Sequence, residues 1–245
     1  MRRIGFSTGA LALGDVDRGL EMLRGRRVEV VELSALRQPE LQPLVSALGR
    51  LELGQFEYVA FHAPSCIERR KEAAVVERLR HVADRGWPIV LHPDAVTDWN
   101  LWEPFGSLLL VENMDRRKEI GRTVEDLEKV FERVPEAGFC LDVGHAQQCD
   151  SSMTEAYRML KRFGSRLRQI HLSEVSTSST HDRLSYVSIL AVREVAHLIP
   201  EDIPVILETP VSANQIEDEI GRARSALSTA IPTESISPAA RTALA

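Results

Sequence analysis

Short apolar runs recur along this 245-residue chain, helical patterns alternate with them, and most of the runs are continuous rather than alternating. Together these observations predict an α/β fold, a single (β/α)8 TIM barrel with parallel strands. Runs such as Leu108-Leu109-Leu110-Val111 and Val205-Ile206-Leu207 suit strands buried on both faces, as in a parallel sheet. Eight strand–helix units in this length match the barrel. The alternative is a doubly wound open sheet. Its dinucleotide-binding version lacks support, because no Gly-x-Gly-x-x-Gly follows the first strand.

In chain order, strands are expected at 3–7, 28–33, 58–62, 88–92, 108–112, 139–143, 169–172 and 204–208. The helix expected at 15–26 opens on Asp15, an N-cap residue type, and carries Leu20, Met22 and Leu23. The next, at 39–51, begins with Pro39, which a first helical turn tolerates. At 68–85, Ala74, Val75, Leu79 and Val82 share one face. The fourth connection, 96–106, has room only for a short or irregular helix. At 123–134, Thr-Val-Glu-Asp resembles a capping box with Asp126 in place of the usual Glu or Gln. Helices at 152–163, 185–199 and 212–227 complete the set. One barrel domain over residues 1–228 is expected, followed by a flexible Ser/Thr/Pro/Ala-rich tail at 229–245.

Composition narrows the function classes. Hydrophobic residues at 44% and charged residues at 27% exclude a disordered chain. The longest apolar runs are far short of a transmembrane helix. The opening Met1-Arg2-Arg3 and the weakly apolar stretch after it read as a first strand rather than a signal peptide. Three scattered cysteines argue against a disulfide framework and for a reducing cytoplasm. Thirty basic against 36 acidic residues give a net charge of −6, which disfavours a nucleic-acid partner and points to a small molecule.

The informative feature is what ends the apolar runs. Val59-Ala60-Phe61 ends in His62, Ile89-Val90-Leu91 in His92, and Leu109-Leu110-Val111 in Glu112. Phe139-Cys140-Leu141 ends in Asp142, with His145 three residues on; Ile170 precedes His171, and Val205-Ile206-Leu207 ends in Glu208. His181 lies in the loop after the seventh strand. In a TIM barrel the carboxyl ends of the strands surround the active site. A lone strand-end histidine or carboxylate is ordinarily structural. Six consecutive strands delivering such groups to one mouth would leave buried charge uncompensated, which a metal ion would relieve. Mixed nitrogen and oxygen donors suit Zn²⁺ or Mn²⁺ foremost, with Mg²⁺, Fe²⁺ or Co²⁺ as further divalent choices. Glu32, Asp94, Asp115 and Glu174 also fall near the mouth, where each could orient a ligand histidine. Asn113 could contact a substrate or cap its loop.

This arrangement resembles the xylose isomerase-like TIM-barrel superfamily, which includes sugar isomerases, sugar epimerases and endonuclease IV. The most specific piece is Phe139-Cys140-Leu141-Asp142-Val143-Gly144-His145, followed by His171 and Glu208. The resemblance implies Glu112, Asp142, His171 and Glu208 as shared metal ligands. In the epimerase branch it implies Glu112 and Glu208 as the catalytic acid/base pair. In the endonuclease branch, His62 and His92 match extra ligands and His145 a third-metal ligand. That branch also has an Asp-x-His after strand seven. Here the loop reads Thr180-His181-Asp182-Arg183, with imidazole and carboxylate adjacent and in the opposite order.

Three functions follow as expectations. The first is a divalent-metal-dependent isomerase or epimerase acting on a sugar, sugar phosphate or polyol through an enediolate. The second is endonuclease IV-like multinuclear phosphoester hydrolysis, with Arg69–Lys71, Arg116–Lys118 and Arg183 either meeting a phosphate or forming solvated faces. The third is a non-catalytic metal- or metabolite-binding barrel. A homodimer is compatible with such barrels.

Overall fold

The computed structural model describes residues 2–229. The expected tail therefore lies, except for Thr229, outside the described residues. Eight strands close a parallel barrel: β1 (Ile4–Ser7), β2 (Val30–Ser34), β3 (Tyr58–His62), β4 (Ile89–Leu91), β5 (Leu109–Glu112), β6 (Gly138–Asp142), β7 (Leu167–Leu172) and β10 (Val205–Leu207). Each pairs with its neighbour in chain order, and β10 closes onto β1 through Ile4–Val205 and Phe6–Leu207. Between β7 and β10 the chain forms a small antiparallel ribbon, β8 (Glu174–Val175) and β9 (His181–Asp182).

The barrel sorts its side chains by strand alternation. Ile89, Leu91, Leu109, Val111, Phe139 and Leu141 join the main core under the helices. Val90, Leu110 and Cys140, the alternate residues, form a separate small cluster. One alternation further on come His92, Glu112 and Asp142, on that same inner face at the carboxyl mouth. Gly5 shows how close β1 and β2 approach, because a Cβ there would lie 1.8 Å from the Val30 carbonyl oxygen.

Nine helices surround the described strands: α1 (Thr8–Ala12), α2 (Val16–Leu23), α3 (Gln38–Ala47), α4 (Glu72–Ala83), α5 (Val124–Arg133), α6 (Val143–Cys149), α7 (Thr154–Phe163), α8 (Tyr186–Ala196) and α9 (Ile216–Ala226). Asp15 caps α2 by accepting from Arg18 N at 3.0 Å. Thr123 caps α5 through Asp126 N at 3.2 Å, but the Asp126 carboxylate accepts from Arg122 N rather than from the cap residue, so the box is one residue wider than expected. Only short 3₁₀ turns, Pro93–Ala95, Trp99–Leu101 and Glu103–Leu108, fill the fourth connection, as expected.

Two helices depart from the expectation. α1 and α6 follow their strands directly, with no intervening turn residue to announce them. The sixth strand ends at Asp142 rather than Val143, because Asp142 Oδ1 accepts from His145 N at 2.6 Å and starts α6 there. Gly144 lets α6 press on the end of β7, since a Cβ there would lie 2.6 Å from the Ser173 carbonyl oxygen. The same carboxylate thus caps a helix and sits at the barrel mouth.

Candidate metal centre

Glu112, at the end of β5, is the hub of the mouth. It is fully buried, and four imidazoles surround it: His62 Nε2 at 3.2 Å, His145 Nδ1 at 3.3 Å, and His92 Nε2 and His171 Nδ1 at 3.4 Å. Glu208, at the end of β10, lies 3.5 Å from His171 Nδ1 and 3.7 Å from His181 Nδ1. Asp142 Oδ2 lies 3.4 Å from His145 Nδ1. All eight residues expected from the sequence, Glu112, Asp142, His171, Glu208, His62, His92, His145 and His181, therefore converge on one mouth.

Backbone carbonyls orient two of the imidazoles. His62 Nδ1 donates to the Ala63 carbonyl at 2.7 Å, so Nε2 is the nitrogen turned toward Glu112. His145 Nδ1 lies 3.0 Å from the Asn113 carbonyl. Asn113 lends its carbonyl to the mouth, but its side chain is engaged with the neighbouring strand end. Its side chain exchanges two 2.8 Å hydrogen bonds with the backbone of Asp142 and clips the ends of β5 and β6 together.

The charge balance of this cluster is unusual. Burial raises the Glu112 carboxyl, but the facing His171 and His92 charges and the close approach of the His145 and His171 ring nitrogens hold it well below the usual carboxylate range. Burial disfavours the His62 imidazolium, yet its bond to Glu112 and the charges of Glu32, Glu112 and Glu208 carry it up to about 9. His145 opposes burial in the same way, through Asp142 and Glu112, and reaches about 10. Burial pushes His92 down and Glu208 up. In short, the carboxylates demand positive charge, and protons on the imidazoles supply it when no cation does.

The donor set fits a divalent ion. Glu112 Oε1, Asp142 Oδ2, His171 Nδ1 and His92 Nδ1 are buried without a hydrogen-bond partner, a costly state for groups of this type. Their ligand atoms fall into tight sets. One is Glu112, Asp142, His171 and Glu208; another is His62, His92 and Glu112; within each, one atom per residue lies within 4.8 Å of the others. Histidine nitrogen and carboxylate oxygen together suit Zn²⁺ or Mn²⁺.

His145 and His181 face each other with ring centroids 5.5 Å apart. No set containing either occurs among the described residues. Asp182, the carboxylate beside His181, is exposed and accepts from Arg183 N. The β8–β9 ribbon carries His181 to the mouth, where its Nδ1 shares a 2.8 Å hydrogen bond with Ser173 Oγ. Arg116 and Arg117 pin the ribbon by donating to the Thr177 and Ser178 carbonyls, and Gln148 donates to that of Ser176.

Three of the four carboxylates expected to orient histidines do other work. Asp94 pairs with Lys118 at 2.6 Å, Asp115 holds Arg117 and Ser179, and Glu174 accepts from Ser185 N and Ser188 Oγ at the start of α8. Glu32 alone meets a histidine, His171, at 3.0 Å. Gln169 and Tyr58, which complete that contact, gave no signal in the sequence beyond their place in strands.

The family model described as xylose isomerase-like TIM barrel matches residues 52–226. The chain belongs to that family. No curated protein matches it in sequence. Endonuclease IV from Thermus thermophilus shares the fold at 20% identity and a TM-score of 0.61, over 92% of this chain and 98% of that one. The 3-keto-D-glucoside 4-epimerase YcjR from E. coli follows at 12% identity and 0.57, over 92% and 100%. A xylose isomerase-like TIM barrel protein from Mycobacterium smegmatis, in complex with magnesium, gives 14% and 0.57, over 93% and 98%. Among the described residues no helix of this family member is long and apolar enough to cross a membrane.

Proposed function

We propose that this barrel is a divalent-metal-dependent phosphoester hydrolase in which Glu112 would serve two cation-binding sets. The observation that carries the reading is the sharing itself: Glu112 belongs both to the His62–His92 set and to the Asp142–His171–Glu208 set. One carboxylate common to two donor sets suits a two-cation clamp on a phosphoryl group. When bound, such cations neutralise phosphate oxygens and make water a nucleophile at neutral pH.

The chain's own residues hold and orient. His62 and His92 present imidazole nitrogens from β3 and the end of β4. Asp142, His171 and Glu208 close the other set from β6, β7 and β10. His181 is partly exposed at the rim, beside Ser173 and Glu208, where it can hand a proton to the departing oxygen. Arg117, Lys118 and Arg183 are already paired with Asp115, Asp94, Asp218 and Glu219. That leaves no basic stripe among them for a duplex backbone, which favours a small phosphate-bearing metabolite as the substrate.

Isomerisation or epimerisation is the second reading. It is favoured by Glu208, whose carboxyl burial raises toward the range of a proton carrier. Its other proton carrier would be Glu112, which four imidazoles hold within 3.4 Å. In the hydrolase reading Glu112 is a ligand and not a base. The two readings separate in one experiment on the metal-loaded protein. Hydrolysis of bis(p-nitrophenyl) phosphate, with no deuterium uptake from D2O into keto or aldo sugar phosphates, is the expected result. Deuterium uptake next to the carbonyl without phosphoester hydrolysis would reverse the order of the two.

A further inference from the structure

Beneath the mouth, inside the barrel, lies a second polar layer that the proposed reaction does not use. Glu32 projects from β2, fully buried, with Oε1 lacking any partner. Its Oε2 lies 2.7 Å from Gln169 Nε2 and 3.0 Å from His171 Nε2. Gln169 Nε2 and His171 Nε2 are themselves 2.8 Å apart. Tyr58 donates its hydroxyl to Gln169 Oε1 at 2.7 Å. The opposite amide orientation would set the Gln169 oxygen 2.7 Å from a carboxylate oxygen, so the nitrogen faces Glu32.

In this triangle Glu32 Oε2 is the acceptor available to both nitrogens. His171 must place its proton on Nε2 to donate to it. In the neutral imidazole, the form that a cation would bind, that leaves Nδ1 with a bare lone pair, and Nδ1 is the nitrogen facing Glu112 and Glu208. We infer that Glu32 is a positioning residue that selects the ligating tautomer of His171, with Tyr58 and Gln169 holding it in place. A buried carboxylate behind a ligand histidine also raises the basicity of the coordinating nitrogen. Without Glu32, the nearest group to Nε2 is the Gln169 amide, a donor. It would draw the proton to Nδ1 and close the site to a cation.

The inference rests on the metal-binding part of the reading above and not on the reaction. It is tested with zinc alone, by competition against a fluorescent chelator, on the wild type, Glu32→Leu and Glu32→Gln. Long-range ¹H–¹⁵N spectra report which His171 nitrogen carries the proton, and melting of the metal-free proteins reports folding. The wild type should carry the His171 proton on Nε2 when loaded. Glu32→Leu should bind zinc about 10- to 100-fold more weakly at the four-residue set, with the neutral imidazole protonated on Nδ1. Glu32→Gln, whose carbonyl still accepts, should keep the Nε2 proton and lose less affinity. If Glu32→Leu does not fold, Glu32→Gln decides alone through its zinc affinity, and wild-type affinity in it would contradict the assignment. Wild-type affinity in Glu32→Leu, or a loaded wild type protonated on Nδ1, overturns Glu32's role and leaves the hydrolase reading standing. A wild type that takes up no zinc overturns both.

Discussion

Glu112 and Glu72 are both buried carboxylates, and their surroundings could hardly differ more. Glu72, at the start of α4, accepts from Thr97 N at 2.9 Å, Asp98 N at 3.3 Å, Trp102 Nε1 at 2.9 Å and the Thr97 hydroxyl. Both oxygens are satisfied by neutral donors of the chain itself, and these tie the irregular fourth connection to α4. Glu112 is ringed by titratable imidazoles and keeps one oxygen without a partner. A carboxylate whose lone pairs the chain satisfies is architecture. One left unsatisfied in the company of other unsatisfied donors is waiting for something the chain does not provide.

The largest expected effect is at the hub. Glu112→Gln should lower phosphoester hydrolysis about 10³-fold or more, equivalent to roughly 4 kcal/mol of lost transition-state stabilisation, while leaving the melting temperature of the metal-free protein near or above the wild-type value. Steady-state kinetics beside thermal melting would check both. A variant that keeps most of its activity would remove Glu112 from the centre.

Glu72→Ala should do the reverse. It strands the Trp102 indole and the Thr97 and Asp98 amides, and should cost about 3 kcal/mol of folding stability without altering zinc affinity. The pH dependence has a definite sign. Burial raises the Glu72 carboxyl, but the bonds from Thr97, Trp102 and Asp98 hold it below the usual value. A depressed folded-state pKa stabilises the fold above the unfolded carboxyl's titration, and that stability is lost as pH falls through the folded value. Urea titrations in acid should therefore show a shallower pH slope for Glu72→Gln than for the wild type.

Zinc binding should carry the opposite signature to acid unfolding at Glu72, in that protons are displaced rather than taken up. His62 is raised to about 9 in the metal-free site, so at neutral pH this imidazole holds a proton that a cation must displace. Zinc affinity should rise as pH climbs from about 6 to about 8, with proton release visible as a buffer-dependent calorimetric heat. A heat independent of the buffer would contradict the charge assignment. The smallest effect is expected at Glu174→Ala. Loss of its bonds to Ser185 and Ser188 should cost about 1 kcal/mol, with zinc affinity unchanged in the chelator assay.

The same comparison explains what the sequence disclosed. His62, His92, Glu112, Asp142, His171 and Glu208 were legible because each ends an apolar run, and a parallel barrel brings every such end to one mouth. His145 was legible by spacing alone, although the short helix that carries it was not. α1 and α6 were hidden because each begins directly after its strand, so that the residue before it, Ser7 or Asp142, also reads as the strand end. Glu32's service to His171 was one candidate among four, since its partners lie 137 and 139 residues away. The Arg116–Lys118 cluster offered two readings. Arg117 and Lys118 are paired in the structure, and Arg116 holds the ribbon by hydrogen bonding to Thr177, through contacts that exist only after the loops have closed.

Elemental analysis of the purified protein beside Glu112→Gln tests the central claim most directly. The shared carboxylate predicts two divalent ions per wild-type chain and the loss of both in the variant, because both donor sets of the proposal include that side chain. A single ion per chain, or a variant that keeps one of its two, would contradict it.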